Sequence, residues 1–150
     1  RGVLADLGAD MAFWKIAMRP GKPMMFGQIG KTLVLGLPGN PVSSLVCARL
    51  FLVALIRASL GLANHEIPHD AELTNDLPAN DNREDYVRSV VEPAMDGTTT
   101  ATPFRRQDSS MLATLARANA LIIRPIKAPS AATGTIVPYI PIDPQMGNWV

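Results

Sequence analysis

A chain of 150 residues, 47% hydrophobic and 18% charged, has the composition of an ordinary globular protein of one domain or two small ones, which excludes a wholly disordered chain. Its net charge of +1 is too small to argue for nucleic acid or an anionic membrane, partners that call for a basic stripe. The longest apolar run, Leu50 to Ile56, falls well short of the ~20 residues that span a bilayer, so no transmembrane helix is expected.

The charge is nevertheless uneven. Residues 1–68 hold seven Lys and Arg against three Asp and Glu, and residues 69–150 hold seven against ten, so an anionic ligand belongs with the first half. The single cysteine, Cys47, cannot close an internal disulfide. It stands inside an apolar helical pattern and reads as a buried thiol in a reducing, cytoplasmic setting. No charged segment followed by an apolar one suggests a signal peptide, and the start at Arg1 without methionine reads as that of a fragment or a processed chain.

Val3 to Met11 suits a short helix ending near Gly8. Phe13 to Met18 is rich in aromatic and branched residues and reads as a strand. The Arg19-Pro20-Gly21-Lys22-Pro23 cluster must then be a loop. Met24 to Ile29 and Thr32 to Leu37 form two strands around a Gly30-Lys31 hairpin. Leu37-Pro38-Gly39-Asn40-Pro41 stops the second of them, with Asn40 as helix N-cap and Pro41 at the first helical position. Val42 to Leu60 is apolar nearly all round, which predicts a helix buried against a sheet. Residues 61–83 turn to His, Pro, Asp and Asn, and a domain boundary is placed near Pro68. Beyond it Tyr86 to Val91 and Thr98 to Phe104 are strands joined through Met95-Asp96-Gly97. Ser109 to Ala116 is a short helix capped by Asp108 or Ser109, and Ala120 to Pro125 and Thr135 to Ile142 are further strands. The pattern predicts an α/β unit over residues 1–68 and a small β-barrel or sandwich over residues 69–150.

Three clusters bear on chemistry. Gly27-Gln28-Ile29-Gly30-Lys31-Thr32 ends like a phosphate-binding P-loop, but Met25 occupies the place of the required first glycine and Thr32 opens a strand rather than a helix, so Gly30-Lys31 is read as a turn. The basic loop is more pointed. On a strand, Lys15 and Arg19 would share one face, Pro20 and Pro23 would restrict the backbone, and Arg19, Lys15 and Lys22 would offer a planar fork and point charges to a tetrahedral oxyanion. A solvated surface loop is the competing reading. The corner from Pro38 through Gly39, Asn40 and Pro41 to Ser43 is either a plain helix cap or an anion site at a helix N-terminus. His65 and His69 are spaced by four without a third ligand and read as solvated, and Asp81, Glu84 and Asp85 read as a solvated turn.

The run from Phe13 to Pro23, followed by Phe26-Gly27 and by Gly36-Leu37-Pro38-Gly39-Asn40-Pro41-Val42-Ser43, resembles the signature of the MoeA/gephyrin E-domain family. A weaker likeness continues through Arg83 to Arg88 and Gln107 to Ser110. The resemblance covers nearly the whole chain and corresponds to the last third of the family's length. It implies the C-terminal half of a three-layer α/β/α molybdopterin-binding domain followed by a small all-β barrel. It further implies a molybdenumtransferase that inserts molybdenum from molybdate into adenylylated molybdopterin and releases AMP. In that reading Lys15 and Arg19 are the basic active-site positions, Pro38 and Pro41 shape the cleft floor, and Arg88 and Ser109 belong to the barrel side of the site. Mg²⁺ is implied with its carboxylate ligands upstream of Arg1, together with a homodimer, and neither nucleic acid nor membrane as partner. Two other functions stay open: a gephyrin-like scaffold that anchors receptors, which a degraded basic loop would favour, and a molybdopterin adenylyltransferase-like domain, against which the tail from Asp70 to Val150 argues.

Overall fold

The computed structural model describes residues 2–62, 66–107 and 111–142. The chain forms two compact units, Arg1–Ala63 and Asn64–Val150.

The first unit opens with helix α1 (Gly2–Asp6) and strand β1 (Asp10–Trp14), then a two-residue extended stretch β2 (Met18–Arg19), and strands β3 (Met25–Ile29) and β4 (Thr32–Gly36). Strands β1, β3 and β4 form an antiparallel sheet in that order. Ile29 faces Thr32 across the two-residue turn Gly30-Lys31, and Gly30 takes φ 57°, the left-handed geometry that makes glycine the natural residue there. The hairpin is thus the one the turn chemistry dictates, and no phosphate loop is formed.

After β4 the chain enters helix α2 (Pro41–Cys47), a π-turn (Ala48–Leu52) and helix α3 (Val53–Ser59) without a break. Asn40 caps it: its backbone is extended and its side chain accepts from the Ser43 amide at 3.1 Å. The expectation of a buried helix fails for much of its length. Val42, Ser43, Val46, Cys47 and Arg49 are buried, yet Leu45 and Ile56 are about half exposed and α3 buries no residue. The physical reason is supply: a three-stranded sheet cannot cover all sides of a helix of 19 residues. That helix, Pro41–Ser59, is by length and composition long and apolar enough to cross a bilayer, which the run from Leu50 to Ile56 alone does not suggest.

The second unit holds β5 (His69–Leu73), β6 (Glu84–Pro93), β7 (Thr99–Pro103), helix α4 (Leu112–Arg117), β8 (Ala120–Arg124) and β9 (Ile136–Pro141). Five strands run in the order β6-β7-β5-β9-β8, and β8 pairs back with β6 to close a barrel. All pairs are antiparallel except β5 with β7. Alternate residues from each strand, with Leu77 and Ala131 from a bridge between loops, fill the core: Ala71, Leu73, Val87, Ala101, Ile122 and Val137. Closure removes the edges that an open sheet of this size would expose.

Two sequence readings change here. Strand β5 falls within residues 61–83, where the sequence suggests no strand. Glu84 and Asp85 belong to β6, where Asp85 is buried opposite Arg124. Only Asp81 keeps the exposed turn, pairing with Arg83 at 2.9 Å. The caps assigned to Asp108 or Ser109 lie outside the described residues, as does His65; α4 itself starts after Met111.

Candidate functional site: a basic loop seated on a helix

The strand that was to carry both Lys15 and Arg19 ends at Trp14. Lys15 has φ 70°, a left-handed conformation uncommon outside glycine, and it turns the chain out of the sheet. The two cations therefore do not share a strand face. They belong instead to a loop that folds back on itself. Its main-chain bonds run from Lys15 N to Met24 O, from Ile16 N to Lys22 O and from Met24 N to Gly21 O, at 3.1, 3.1 and 3.0 Å. This pairing draws the backbones of Lys15 and Lys22 together. The side chains of Lys15 and Lys22 are exposed and Arg19 is half-buried, while Met18, Gly21 and Met24 are buried beneath them. The Arg19-Pro20 peptide bond is cis.

The loop rests on helix α2. A Cβ placed on Gly21 would stand 2.6 Å from Cys47 Sγ and 3.1 Å from Met18 Sδ, so the backbone at Gly21 approaches the buried thiol as closely as a main chain can. Burial holds the Cys47 thiol protonated, with its pKa pushed up to about 11, which makes it a packing group rather than a nucleophile at neutral pH.

At the other end of α2, Pro38 and Ser43 are buried, Gly39 and Pro41 are exposed and Asn40 is half-buried. Because the Asn40 side chain already accepts from the Ser43 amide, the cap uses one of the donors that a bound anion would need. Cys47 lies seven residues along, about 10 Å of helix rise from the capped end.

Arg88, expected from the resemblance on the barrel side of the site, is 1% exposed. Its backbone N–H and Nε both donate to Gln107 Oε1, at 3.0 and 3.2 Å, and Gln107 Nε2 donates in turn to the carbonyls of Arg88 and Phe104 at 3.0 and 2.8 Å. Gln107 is the residue that reading by sequence undervalued: it lies 19 positions from its partner and nothing local announces the pair. Arg124 is the barrel unit's other buried arginine, donating to the carbonyls of Pro78 and Pro129; burial lowers its pKa, against the opposing pull of Asp85. Ser109 lies outside the described residues.

Comparison with known proteins gives this geometry a context. Residues 1–58 match the family described as a probable molybdopterin binding domain, and residues 70–142 match the MoeA C-terminal region, domain IV. The molybdopterin molybdenumtransferase of Bacillus subtilis is 35% identical over 147 residues, covering 97% of this chain and 34% of that protein. The molybdenum cofactor synthesis protein cinnamon of Drosophila melanogaster is 33% identical over 92% of this chain and 24% of its own length. Among solved structures, the MoeA protein of Pyrococcus horikosii superposes with a TM-score of 0.76 at 25% identity, covering 95% of this chain and 34% of that one. The chain thus spans about a third of the length of such relatives.

An α/β unit that matches the family of probable molybdopterin binding domains, followed by a closed barrel that matches the MoeA C-terminal region, defines the class of this chain. More narrowly, the chain belongs to the MoeA family and represents its C-terminal portion.

Proposed function

We propose that the protein containing this chain is a molybdopterin molybdenumtransferase, which moves molybdenum from molybdate into adenylylated molybdopterin with release of AMP. The observation that carries the reading is the basic loop: Lys15, Arg19 and Lys22 stand on ten residues tied by three main-chain hydrogen bonds and seated on α2. Relatives named molybdopterin molybdenumtransferase support the transferase part of this reading.

In this proposal the Arg19 guanidinium takes two oxygens of the tetrahedral oxyanion with its planar fork, and Lys15 and Lys22 neutralise phosphate charge on the adenylylated substrate. As the adenylate bond breaks, negative charge grows on the leaving phosphate, and cations already in position stabilise it without reorganising. Pro38, Gly39, Asn40, Pro41 and Ser43 shape the surface at the start of α2, while Arg88 and Ser109 are assigned a part on family resemblance alone, Arg88 being buried and bonded to Gln107 in this chain.

The family reading also calls for Mg²⁺. Among the described residues no three His, Cys, Asp or Glu side chains are grouped to hold a metal ion, so the ligands are sought elsewhere and no step is derived through the ion. We further propose a cytoplasmic homodimer, with residues 1–68 and 69–150 as its last two domains. In this proposal Pro41–Ser59 belongs to the α/β unit and is not a membrane span, its first part being buried at Val42, Val46, Cys47 and Arg49.

The scaffold alternative would combine exposed apolar residues on the barrel unit with a degraded basic loop. Met95, Leu112, Ile126 and Ile136 are exposed, but Lys15, Arg19 and Lys22 are all retained. The test compares Arg19→Ala with Lys31→Ala in a cofactor-reconstitution assay on the full-length protein. Arg19→Ala should lose ~10²-fold in rate, as removal of a preorganised charge donor does, while Lys31, in an exposed hairpin turn, should cost little because water screens it. Equal losses would mean that overall charge, not a defined oxyanion site, governs the activity.

A further inference from the structure

We infer that Cys47 is a positioning residue for the basic loop, its side-chain size setting where Arg19 and Lys22 stand. The inference deepens the proposed function and rests on it.

Three observations carry it. Gly21 has φ 125°, a backbone region open essentially to glycine, and its Cβ position would fall 2.6 Å from Cys47 Sγ, closer than non-bonded atoms approach. The thiol is itself immobilised: Cys47 and Met24 are 0% exposed and Met18 is 4% exposed, so the sulfur cannot swing away without displacing packed neighbours. Finally, the same loop segment is closed by the bonds from Ile16 N to Lys22 O and from Met24 N to Gly21 O, so a shift at Gly21 is passed to Lys22 beside it and to Arg19 two residues before. The loop is a short strap that meets the helix at Gly21. A bulkier group at either side of that point lifts the strap by on the order of 1 Å, and a displacement of that size is enough to cost ~10²-fold where charge must be met in a fixed geometry.

The chemistry of residue 47 is secondary to its volume. The thiol is neutral and enclosed and takes no part in bond making. Alanine at position 47 should therefore leave the loop close to where it is, at the cost of a small cavity. Leucine should raise it.

The experiment measures the molybdate dissociation constant and the KM and kcat of reconstitution for full-length wild type, Cys47→Ala, Cys47→Leu, Gly21→Ala and the Gly21→Ala/Cys47→Ala double variant, with folding checked by circular dichroism. Cys47→Ala should bind molybdate within about threefold of wild type. Cys47→Leu and Gly21→Ala should each weaken binding by tenfold or more and raise KM, while remaining folded. The double variant should recover a measurable part of the Gly21→Ala loss, because the sulfur that the new Cβ meets is gone. A merely structural role would lower the folded fraction and leave the dissociation constant of the folded protein unchanged. If wild type binds molybdate and Cys47→Leu and Gly21→Ala bind it equally well, or if the double variant recovers nothing, the positioning role is overturned while the functional reading stands. If wild type itself binds neither molybdate nor adenylylated molybdopterin, the functional reading falls, and the role of Cys47 in that reaction falls with it.

Discussion

In the barrel unit each of the five strands has two hydrogen-bonded neighbours, and the side chains between them form a closed core. In the α/β unit, among the described residues, β1 and β4 have only β3 beside them, and the long helix leaves Leu45 and Ile56 in solvent. Yet the cations suited to an oxyanion stand on the second of these, on a loop whose Gly21 packs against the Cys47 thiol and Met18 and which is tied by main-chain bonds. In the proposed function, stability and chemistry thus fall to different parts of the chain: the barrel closes on its own strands, and the unit with the basic loop depends on tight approaches such as that of Gly21 to Cys47.

The sharpest test of that difference is to remove core volume from each side. Ile122 is 0% exposed in the barrel core, and Ile122→Ala should cost about 2–5 kcal/mol by lost burial and the cavity left behind. Leu45→Ala, on the half-exposed helix face, should cost roughly 0.5 kcal/mol or less in this chain. Urea midpoints for the two variants decide it. Comparable losses would mean that the helix face is covered in solution and that the two units are equally packed.

Next in size is the buried polar pair. Gln107→Leu removes the acceptor for Arg88 N–H and Nε and the donor to two carbonyls. Leaving such groups buried and unmatched costs about 1–3 kcal/mol. A folded variant with an unchanged urea midpoint would show that water replaces the glutamine, and that Arg88 is less enclosed than its 1% exposure states.

Much of the fold was legible because it is local. The turns at Gly30-Lys31 and Asp96-Gly97, the Asn40-Pro41 cap and four of the five barrel strands follow from turn chemistry and alternation within a few residues. What was missed depends on distant partners. Strand β5, His-Asp-Ala-Glu-Leu, alternates only over a few residues, carries no β-branched or aromatic side chain apart from its histidine, and is held by β7 and β9. Asp85 reads as a turn residue until Arg124, far along the chain, is placed opposite it. The candidate site was legible as residue types but not as geometry: Lys15, Arg19 and Lys22 suggest an oxyanion, whereas the left-handed Lys15 and the close approach of Gly21 to Cys47 are long-range packing facts that no spacing rule contains.

A smaller effect separates the units by pH. The Cys47 thiol, raised by burial to about 11, stays protonated in the folded α/β unit after an unfolded thiol has begun to ionise. A folded-state pKa above the unfolded one contributes stability that is complete below pH 9 and is lost as pH rises toward 11. Urea midpoints between pH 8 and about 11 should therefore fall more steeply for wild type than for Cys47→Ala, a difference that cancels the lysine titrations common to both. Parallel curves would mean that the thiol is reached by water, against its seat beneath Gly21.

The smallest effect lies at the acid end and belongs to the barrel unit alone. Asp76 is exposed, but its Oδ1 accepts from the Thr133 amide at 2.7 Å and from the Thr133 hydroxyl at 3.0 Å, and these bonds hold its pKa below 3.8. The sign is opposite to that of Cys47. A depressed carboxyl pKa contributes stability that is present above the unfolded value and is lost as pH falls through the folded one. An NMR titration of the Asp76 carboxyl should give a midpoint below 3.8, and Thr133→Val, which removes the hydroxyl donor but keeps the amide, should move it part of the way back. The partial return is the informative outcome, because the amide bond is the larger cause and survives the substitution. An unmoved midpoint would assign the whole shift to the backbone and make the loop bridge around Leu77 and Ala131 a main-chain device, independent of the threonine side chain.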